Sequence, residues 1–519
     1  MDASPKPTAF GLPVPTLQTR RSPSPASDGE KKKHRPTKFW KHLLTSQGRR
    51  KREASQEIEE GGSKPLLAAQ EVKVNSLTTY LQEYVGIYSE SHRDEVILLL
   101  KRNDWNSDAA IQEVKNIMDA EEGVLVEINP DVTLVGAENE MLTSCYIDSL
   151  LFAMFVSLIA FEPMLFVETS DAETKRLQTL LRLFVNNLRS GKLVRVDAVH
   201  ELRVQLLNCG WTGLDRVHGV PTQEDVTELF LFLTNKFRLP YLPVQVRLFH
   251  GANVDADDDR MTTERMLSLS IPSTIAGTGP VTLESLIAEH FYNNVVTGIK
   301  RNVDSTSMSA SSIDKSSYFM VDTTLSGEKK RPPKQREMLV SAWQVLELLP
   351  FYVTSNEQGE TSLPHAGEFS DKTLMLPMAL KRYEYDMYGR SKRIPRDILI
   401  PSEIFLSQFV GETLETCPDC QKPLQHVAVL RSVICHQGDS PNAGHYVAFS
   451  ARRTGDQWSW LALDDMDLHH RVKTFSTPNA INDMYTQFSK EAYMLFYELE
   501  TTCDHDRPRL DNTNHCALQ

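Results

Sequence analysis

Apolar positions fall at helical spacing through the first half of this 519-residue chain and alternate, as strands do, through much of the second. Organised patterning begins near Val74. Leu77, Tyr80, Leu81 and Tyr84 share one helical face; Val96, Ile97, Leu99 and Leu100 mark a second helix; Ala109, Ala110, Ile111, Val114 and Ile117 mark a third. Asn106-Ser107-Asp108 offers capping chemistry for the third helix, and the first ends at a Gly86-Ile87-Tyr88 turn. From about 125 to 500 there is no clean linker and no internal repeat. Helical spacing dominates up to about 240; then Val244–Phe249, Val427–Val433, Tyr446–Ser450, Trp458–Leu463 and Tyr493–Leu499 alternate as strands. Helices first and strands later is the order of an α+β domain.

The flanks read differently. Residues 1 to 70 are rich in Pro, Ser, Lys and Glu and bury too little to offset their ordering entropy, so disorder is expected there. The Ser-rich stretch ending in KKRPPK, from 304 to 335, reads as a flexible insertion, and 501–519 as an unstructured tail. No run approaches the roughly 18 apolar residues of a membrane span, and the first residues lack a secretory signal. Seven irregularly spaced cysteines do not make a disulfide framework, which points to a reducing, cytoplasmic compartment. The net charge of −13 disfavours nucleic-acid binding by the folded part. Against that charge, Lys31 to Arg52 holds ten Lys or Arg residues and no acid. That stretch reads as a solvated tail, a nuclear import signal or, with Phe39, Trp40, Leu43 and Leu44 among the cations, a contact for an anionic membrane surface.

Candidate chemistry lies inside the long patterned region. In TSCYIDSLLFAMF (143–155), Thr143 and Ser144 are N-cap candidates, and Cys145 opens an apolar helix. Unpaired N–H groups and the helix dipole there are expected to lower the thiol pKa. A small buried cysteine is the plain alternative. Further on, HQGDSPNAGHYVAFS (436–450) sets His445 where a Gly-containing turn becomes a strand, suited to taking and returning a proton. In WSWLALDDMD, Asp464 and Asp465 end the adjacent strand, where one carboxylate can fix the imidazole tautomer.

These segments resemble the ubiquitin-specific protease family of deubiquitinases. TSCYIDSLLF is similar to its Cys box, and CHQGDSPNAGHYVAFS with WLALDD and AYMLFYEL to its His box and closing strands. TQEDVTELFLFL (222–233) resembles its Gln-Gln-Asp-x-x-Glu-Phe box, and LMLPMALKRYEYD (374–386) its Leu-Pro-x-x-Leu strand. Ser144 before the cysteine and Ile147-Asp148 after Tyr146 are closest to the cylindromatosis-type subgroup, whose zinc-binding B-box insertion is missing here. The resemblance implies a papain-like fold with helical thumb, β-rich fingers and palm over 125–500, hydrolysis of the bond after ubiquitin's terminal glycine, and no cofactor. It implies Cys145 as nucleophile, His445 as base and Asp464 as orienting acid, with Asp465 auxiliary. Gln223, Asp225, Glu228, Tyr383, Gly444 and Tyr446 would line the channel for ubiquitin's tail, with His436 as a substrate-loop residue. The family's oxyanion Asn position is occupied by Glu140, so a one-residue bulge presenting Asn139 is expected instead.

The helices of 75–120 resemble a ubiquitin-associated (UBA) domain, with Val85-Gly86-Ile87 at its binding turn. Gly86, Ile87, Ile111 and Val114 would then meet ubiquitin or polyubiquitin conjugates; a plain packing bundle is the alternative. Cys417-x-x-Cys420 supplies only two of the four ligands structural zinc takes, with Cys435 and His436 as the nearest completions and a reduced thiol pair as the alternative. Cys516-Ala517-Leu518-Gln519 fits a prenylation motif, which would join the basic stretch at a membrane. Two other functions stay open: a catalytically weakened ubiquitin-binding scaffold, motivated by Glu140, and a protease for a ubiquitin-like modifier.

Overall fold

A computed structural model describes residues 67–86, 92–215, 218–272, 280–303, 336–355, 361–362, 373–410, 416–455 and 457–503. Ile87, Cys516, the Lys31–Arg52 stretch and the 304–335 insertion lie outside these. The chain divides into two compact units, Met1–Gln112 and Glu113–Gln519.

In the first unit, α1 (Ala68–Tyr80) continues as one wider turn, Leu81–Val85, and ends on Gly86, whose φ of 72° is the left-handed cap that glycine adopts without strain. Helix α2 spans Arg93–Arg102 and packs on α1, burying Val96, Leu99 and Leu100 with Val74, Leu77 and Leu81. The division between units falls within α3 (Ser107–Glu122). Asn106 Oδ1 accepts from the Asp108 and Ala109 N–H groups and so caps α3. Ile111 is half-buried. Val114 is only 1% exposed, which corrects its reading as a docking residue: its side chain is used for packing.

The larger unit is helical first and stranded later. Helix α4 (Cys145–Phe155) is buried along its whole length, which is why apolar residues fill it apart from Asp148 and Ser149. Each fully buried side chain such as Phe152 or Phe155 is worth on the order of 1.5–3 kcal/mol. The Phe155 carbonyl at its end accepts from the buried Arg189 guanidinium at 2.7 and 2.9 Å. Arg189 ends α5 (Ala172–Arg189); α6 (Val196–Asn208) and α7 (Val226–Lys236) complete the helical part.

Next come β1 (Leu242–Phe249), β2 (Asp259–Glu264), β3 (Leu267–Ser270), α8 (Leu283–Tyr292), β4 (Asn294–Val303), β5 (Arg336–Leu348) and β6 (Leu374–Lys381). They are followed by β7 (Gln425–Ser440), β8 (Ala443–Thr454), β9 (Gln457–Leu463), β10 (Val472–Phe475), α9 (Pro478–Glu491) and β11 (Ala492–Thr502). Strands β2, β1, β5 and β4 form an antiparallel four-stranded sheet in that order, and the flanks of the 304–335 segment pair as β4 and β5. An eight-stranded sheet runs β10-β9-β8-β7-β11-β6-β3, with the short strand Glu403–Phe405 also on β7. A large apolar core including Leu376, Met378, Val433, Phe449, Phe488 and Leu495 packs this sheet against α8 and α9. Among the described residues no helix is long and apolar enough to cross a membrane.

Candidate active site

Helix α4 lies on the large sheet. Ser149 Oγ donates to the Tyr446 carbonyl of β8 at 3.1 Å, and Ser432 Oγ of β7 donates to the Ala153 carbonyl at 2.9 Å. Cys145 stands four residues before Ser149, on the same helix face, and so turns towards β8. Its thiol is 1% exposed and donates to Gln223 Oε1 at 3.8 Å. Burial raises its pKa, and the nearby Asp465 carboxylate raises it further. This reverses the direction expected from the helix N-terminus alone: desolvation and a neighbouring negative charge outweigh the dipole. Ser144 occupies the N-cap position without a side-chain cap. Its hydroxyl instead donates to Asp148 Oδ2 at 2.9 Å and accepts from the Glu140 N–H at 2.8 Å.

His445 sits near the start of β8. Its Nε2 bonds Asp464 Oδ1 at 2.8 Å, while the buried Nδ1 has no hydrogen-bond partner. The bond to His445 is the largest influence holding the Asp464 carboxyl below its usual range. With Nε2–H donated to Asp464, Nδ1 carries the lone pair and is the atom able to take a proton. Asp465 Oδ1 lies 3.9 Å from Nδ1 in a side chain that is 2% exposed. Asp148 is fully buried, and its pKa is raised well above the carboxylate range by burial and then by Asp465. Asp148 Oδ1 and both Asp465 oxygens have no hydrogen-bond partner, and burial raises the pKa of both carboxyls.

The loop before α4 holds two consecutive left-handed residues, Met141 (φ 55°) and Leu142 (φ 58°), between Glu140 and Thr143. Asn139 Oδ1 accepts from the Ser144 N–H at 3.0 Å, while its buried Nδ2 has no partner. Glu140 points into α6. It pairs with His200, and with Arg203 at 3.3 Å. Burial works to raise its pKa, but His200 and Arg203 outweigh that and hold it below the usual range. Arg203 also donates to Thr143 Oγ1 at 2.9 Å and to the Thr222 carbonyl at 2.5 Å, tying the loop to the segment that carries Gln223.

A family model described as ubiquitin carboxyl-terminal hydrolase matches residues 135–497, most of the chain. The chain belongs to that family. Within it, Ubiquitin carboxyl-terminal hydrolase 14 of Saccharomyces cerevisiae is 35% identical over 68 residues, a match spanning 13% of this chain and 7% of the yeast protein. Two similar solved structures are the SAGA Ubp8/Sgf11/Sus1/Sgf73 DUB module bound to ubiquitin aldehyde and the Ubp8-Sgf11-Sgf73-Sus1 SAGA DUB module. Each is 15% identical and covers 76% of this chain and 75% of that chain, with TM-scores of 0.42 and 0.41.

The remaining residues of the sequence motifs lie at the start of α7, at Tyr383 and on the β7–β8 hairpin. Asp225 caps α7 through the Thr227 N–H and accepts from Tyr493 OH at 2.6 Å. Glu228 is exposed one turn on, and partial burial followed by Asp225 raises its pKa. Tyr383 OH bonds His436 Nδ1 at 2.5 Å and donates to the Gly438 carbonyl at 3.0 Å. His436 is fully buried, and burial with Arg393 pushes its pKa down to about 3, so it stays neutral and unsuited to proton storage. The Tyr446 ring lies 4.2 Å from that of His436, tilted by 41°, and its hydroxyl donates to the Pro441 carbonyl. Gly444 has φ 141°, and a Cβ there would stand 2.2 Å from the Gln437 carbonyl oxygen. Cys417 and Cys420 meet Cys503 rather than Cys435 or His436; Cys435 is buried in β7 opposite Ala492 and Val447. Sequence reasoning missed Ser149, Arg203 and His200 as positioning residues. The acid Asp148 inside an otherwise apolar helix was the one visible signal that this helix has polar business at its start.

Proposed function

We propose that this chain is a thiol-dependent deubiquitinase that hydrolyses the peptide or isopeptide bond after ubiquitin's C-terminal glycine. The observation that carries the reading is His445, bonded through Nε2 to Asp464 with Nδ1 unoccupied, on the strand against which the Cys145 helix is hydrogen-bonded. His445 Nδ1 takes the Cys145 proton, and the sulfur attacks the glycine carbonyl. The oxyanion is received by Asn139 Nδ2 and the Cys145 N–H. His445 then protonates the leaving lysine amine, and water, deprotonated by His445, cleaves the thioester. Gln223 releases the thiol as the substrate tail enters. Asp225, Glu228, Tyr383 and Gly444 border the tail channel, where the two acids suit ubiquitin's basic C-terminus; Tyr446 is fully buried and supports the channel from behind instead of lining it.

The test is labelling by a ubiquitin-tail electrophile and turnover of fluorogenic ubiquitin, in wild type and Cys145→Ala. Both activities are expected in wild type and absent in the variant; ubiquitin binding with neither would leave a scaffold. That second reading drew on Glu140, whose charge is balanced by His200 and Arg203. Faster labelling by a ubiquitin-like probe would instead reassign the substrate.

Finer assignments belong to the same proposal. The Ser144, Ile147 and Asp148 variants favour the cylindromatosis-type subgroup. The helices of 75–120 act as a UBA-like tether that raises local ubiquitin concentration, with Gly86 at its turn. The catalytic domain spans 125–500, the chain works in the cytoplasm, and the basic region with Cys516 provides membrane or nuclear addressing.

A further inference from the structure

We propose that Cys417, Cys420 and Cys503 bind a structural zinc ion that fastens the end of β11 to the turn leading into β7. The three Sγ atoms lie within 4.8 Å of one another. Cys420 and Cys503 sulfurs are 3.1 Å apart, well beyond the roughly 2.0 Å of a disulfide. Three thiolates around zinc at about 2.3 Å would stand about 3.8 Å apart, so sub-ångström adjustments complete the arrangement.

The backbone is shaped for this. Thr416 and Pro423 bridge across the Cys417–Cys420 turn; the Gln421 N–H bonds the Cys417 carbonyl at 2.9 Å, and the Cys417 N–H bonds the Lys422 carbonyl at 2.8 Å. Gln421 takes φ 60°, a left-handed conformation uncommon outside glycine, directly after the second cysteine. The register Gln425↔Thr502 then delivers Cys503, from 83 residues away, to the mouth of that turn. Cys417 is 2% exposed and Cys503 1% exposed, with Cys420 half-buried at the mouth of the turn, so two of the three sulfurs are shielded from solvent.

Thiolates select a soft or borderline ion, and a sulfur cluster would require four cysteines where the described residues bring three. Binding converts three thiols to thiolates and releases three protons. The fourth position suits a neutral imidazole or water.

The experiment is metal analysis of the full chain, purified without chelator from zinc-replete cells. About one zinc per chain is expected in wild type and almost none in Cys420→Ser or Cys503→Ser. A mercurial added to wild type should release the zinc as its thiols react, a readout that no variant's misfolding can obscure. Replacement by Co(II) should give the sulfur-to-metal charge-transfer band and strong visible bands of a tetrahedral thiolate site. Metal-free wild type overturns the proposal, as does full zinc retention by Cys503→Ser. A wild type lighter by two hydrogens and restored by a reductant would put a Cys420–Cys503 disulfide in its place. None of these readouts depends on ubiquitin hydrolysis.

Discussion

Ser149 Oγ donates to the Tyr446 carbonyl at 3.1 Å, joining the residue one helical turn beyond Cys145 to the residue one position beyond His445. With the Ser432 bond to the Ala153 carbonyl, it fixes the register between Cys145 and His445, which come from elements some 300 residues apart in sequence. Ser149→Ala should lower stability by about 0.5–1.5 kcal/mol and lower kcat/KM on fluorogenic ubiquitin by about tenfold, since small misplacements at a reacting pair are costly. Calorimetry and steady-state kinetics read both. A reduced Tm with unchanged kcat/KM would mean the bond supports the fold without aligning the site.

Asn139 and Glu140 are neighbours with opposite assignments. Removing the Asn139 amide, in Asn139→Ala and in Asn139→Asp, should reduce kcat by about 10²–10³ with little change in KM, the signature of a lost oxyanion donor. Glu140→Gln keeps the shape of a side chain bonded to Arg203 and His200 and should cost less than about tenfold. The reverse ranking would move the oxyanion site away from Asn139.

The Asp148 and Asp465 pair makes stability fall as pH rises. Asp148 binds its proton more tightly folded than unfolded, so above the unfolded carboxyl pKa near 4 the native state holds the extra proton. Stability then declines, by up to about 1.4 kcal/mol per pH unit for one proton, until the folded pKa is passed. Asp148→Asn keeps an acceptor for Ser144 Oγ and removes the titration. Its Tm should vary less than that of wild type between about pH 5 and 8. An unchanged slope would assign the pH dependence elsewhere.

Gly444→Ala should be severe, because the added methyl meets the Gln437 carbonyl carbon at 3.0 Å as well as its oxygen at 2.2 Å, in a φ region closed to alanine. The β7–β8 hairpin must open, and His445 moves with it. Probe labelling should fall by more than tenfold at a protein concentration matched by folded signal. Near-normal labelling would show that the hairpin yields without disturbing the base.

Local pattern was a good guide where a residue's environment is set by its own element. The apolar run after Cys145 is a helix buried on all sides, and the alternation at 427–433 and 493–499 lies in paired neighbours β7 and β11. It failed where another side chain, near or distant in sequence, intervenes. Ser144 has capping chemistry, yet Asp148 claims its hydroxyl. The thiol of Cys145 has a helix dipole beside it, yet Asp465 and burial set its pKa direction. Cys503 has no spacing relation to Cys417 and Cys420, and only the β7–β11 register unites them. Val114 sits on an apolar helical face, and periodicity cannot say whether such a face meets its own core or a partner.

The place of β11 in the sheet has a consequence for biosynthesis. It pairs with β7 on one side and β6 on the other, although it is made after both. The ribosome releases Cys145 about 350 residues before this strand is finished, roughly 20–70 s earlier at ordinary elongation rates. During that interval the nascent chain carries Cys145 without the completed sheet that holds His445. A chain interrupted before Ala492 would leave β7 and β6 without the strand that pairs with both, so the large sheet can be completed only after synthesis has passed it.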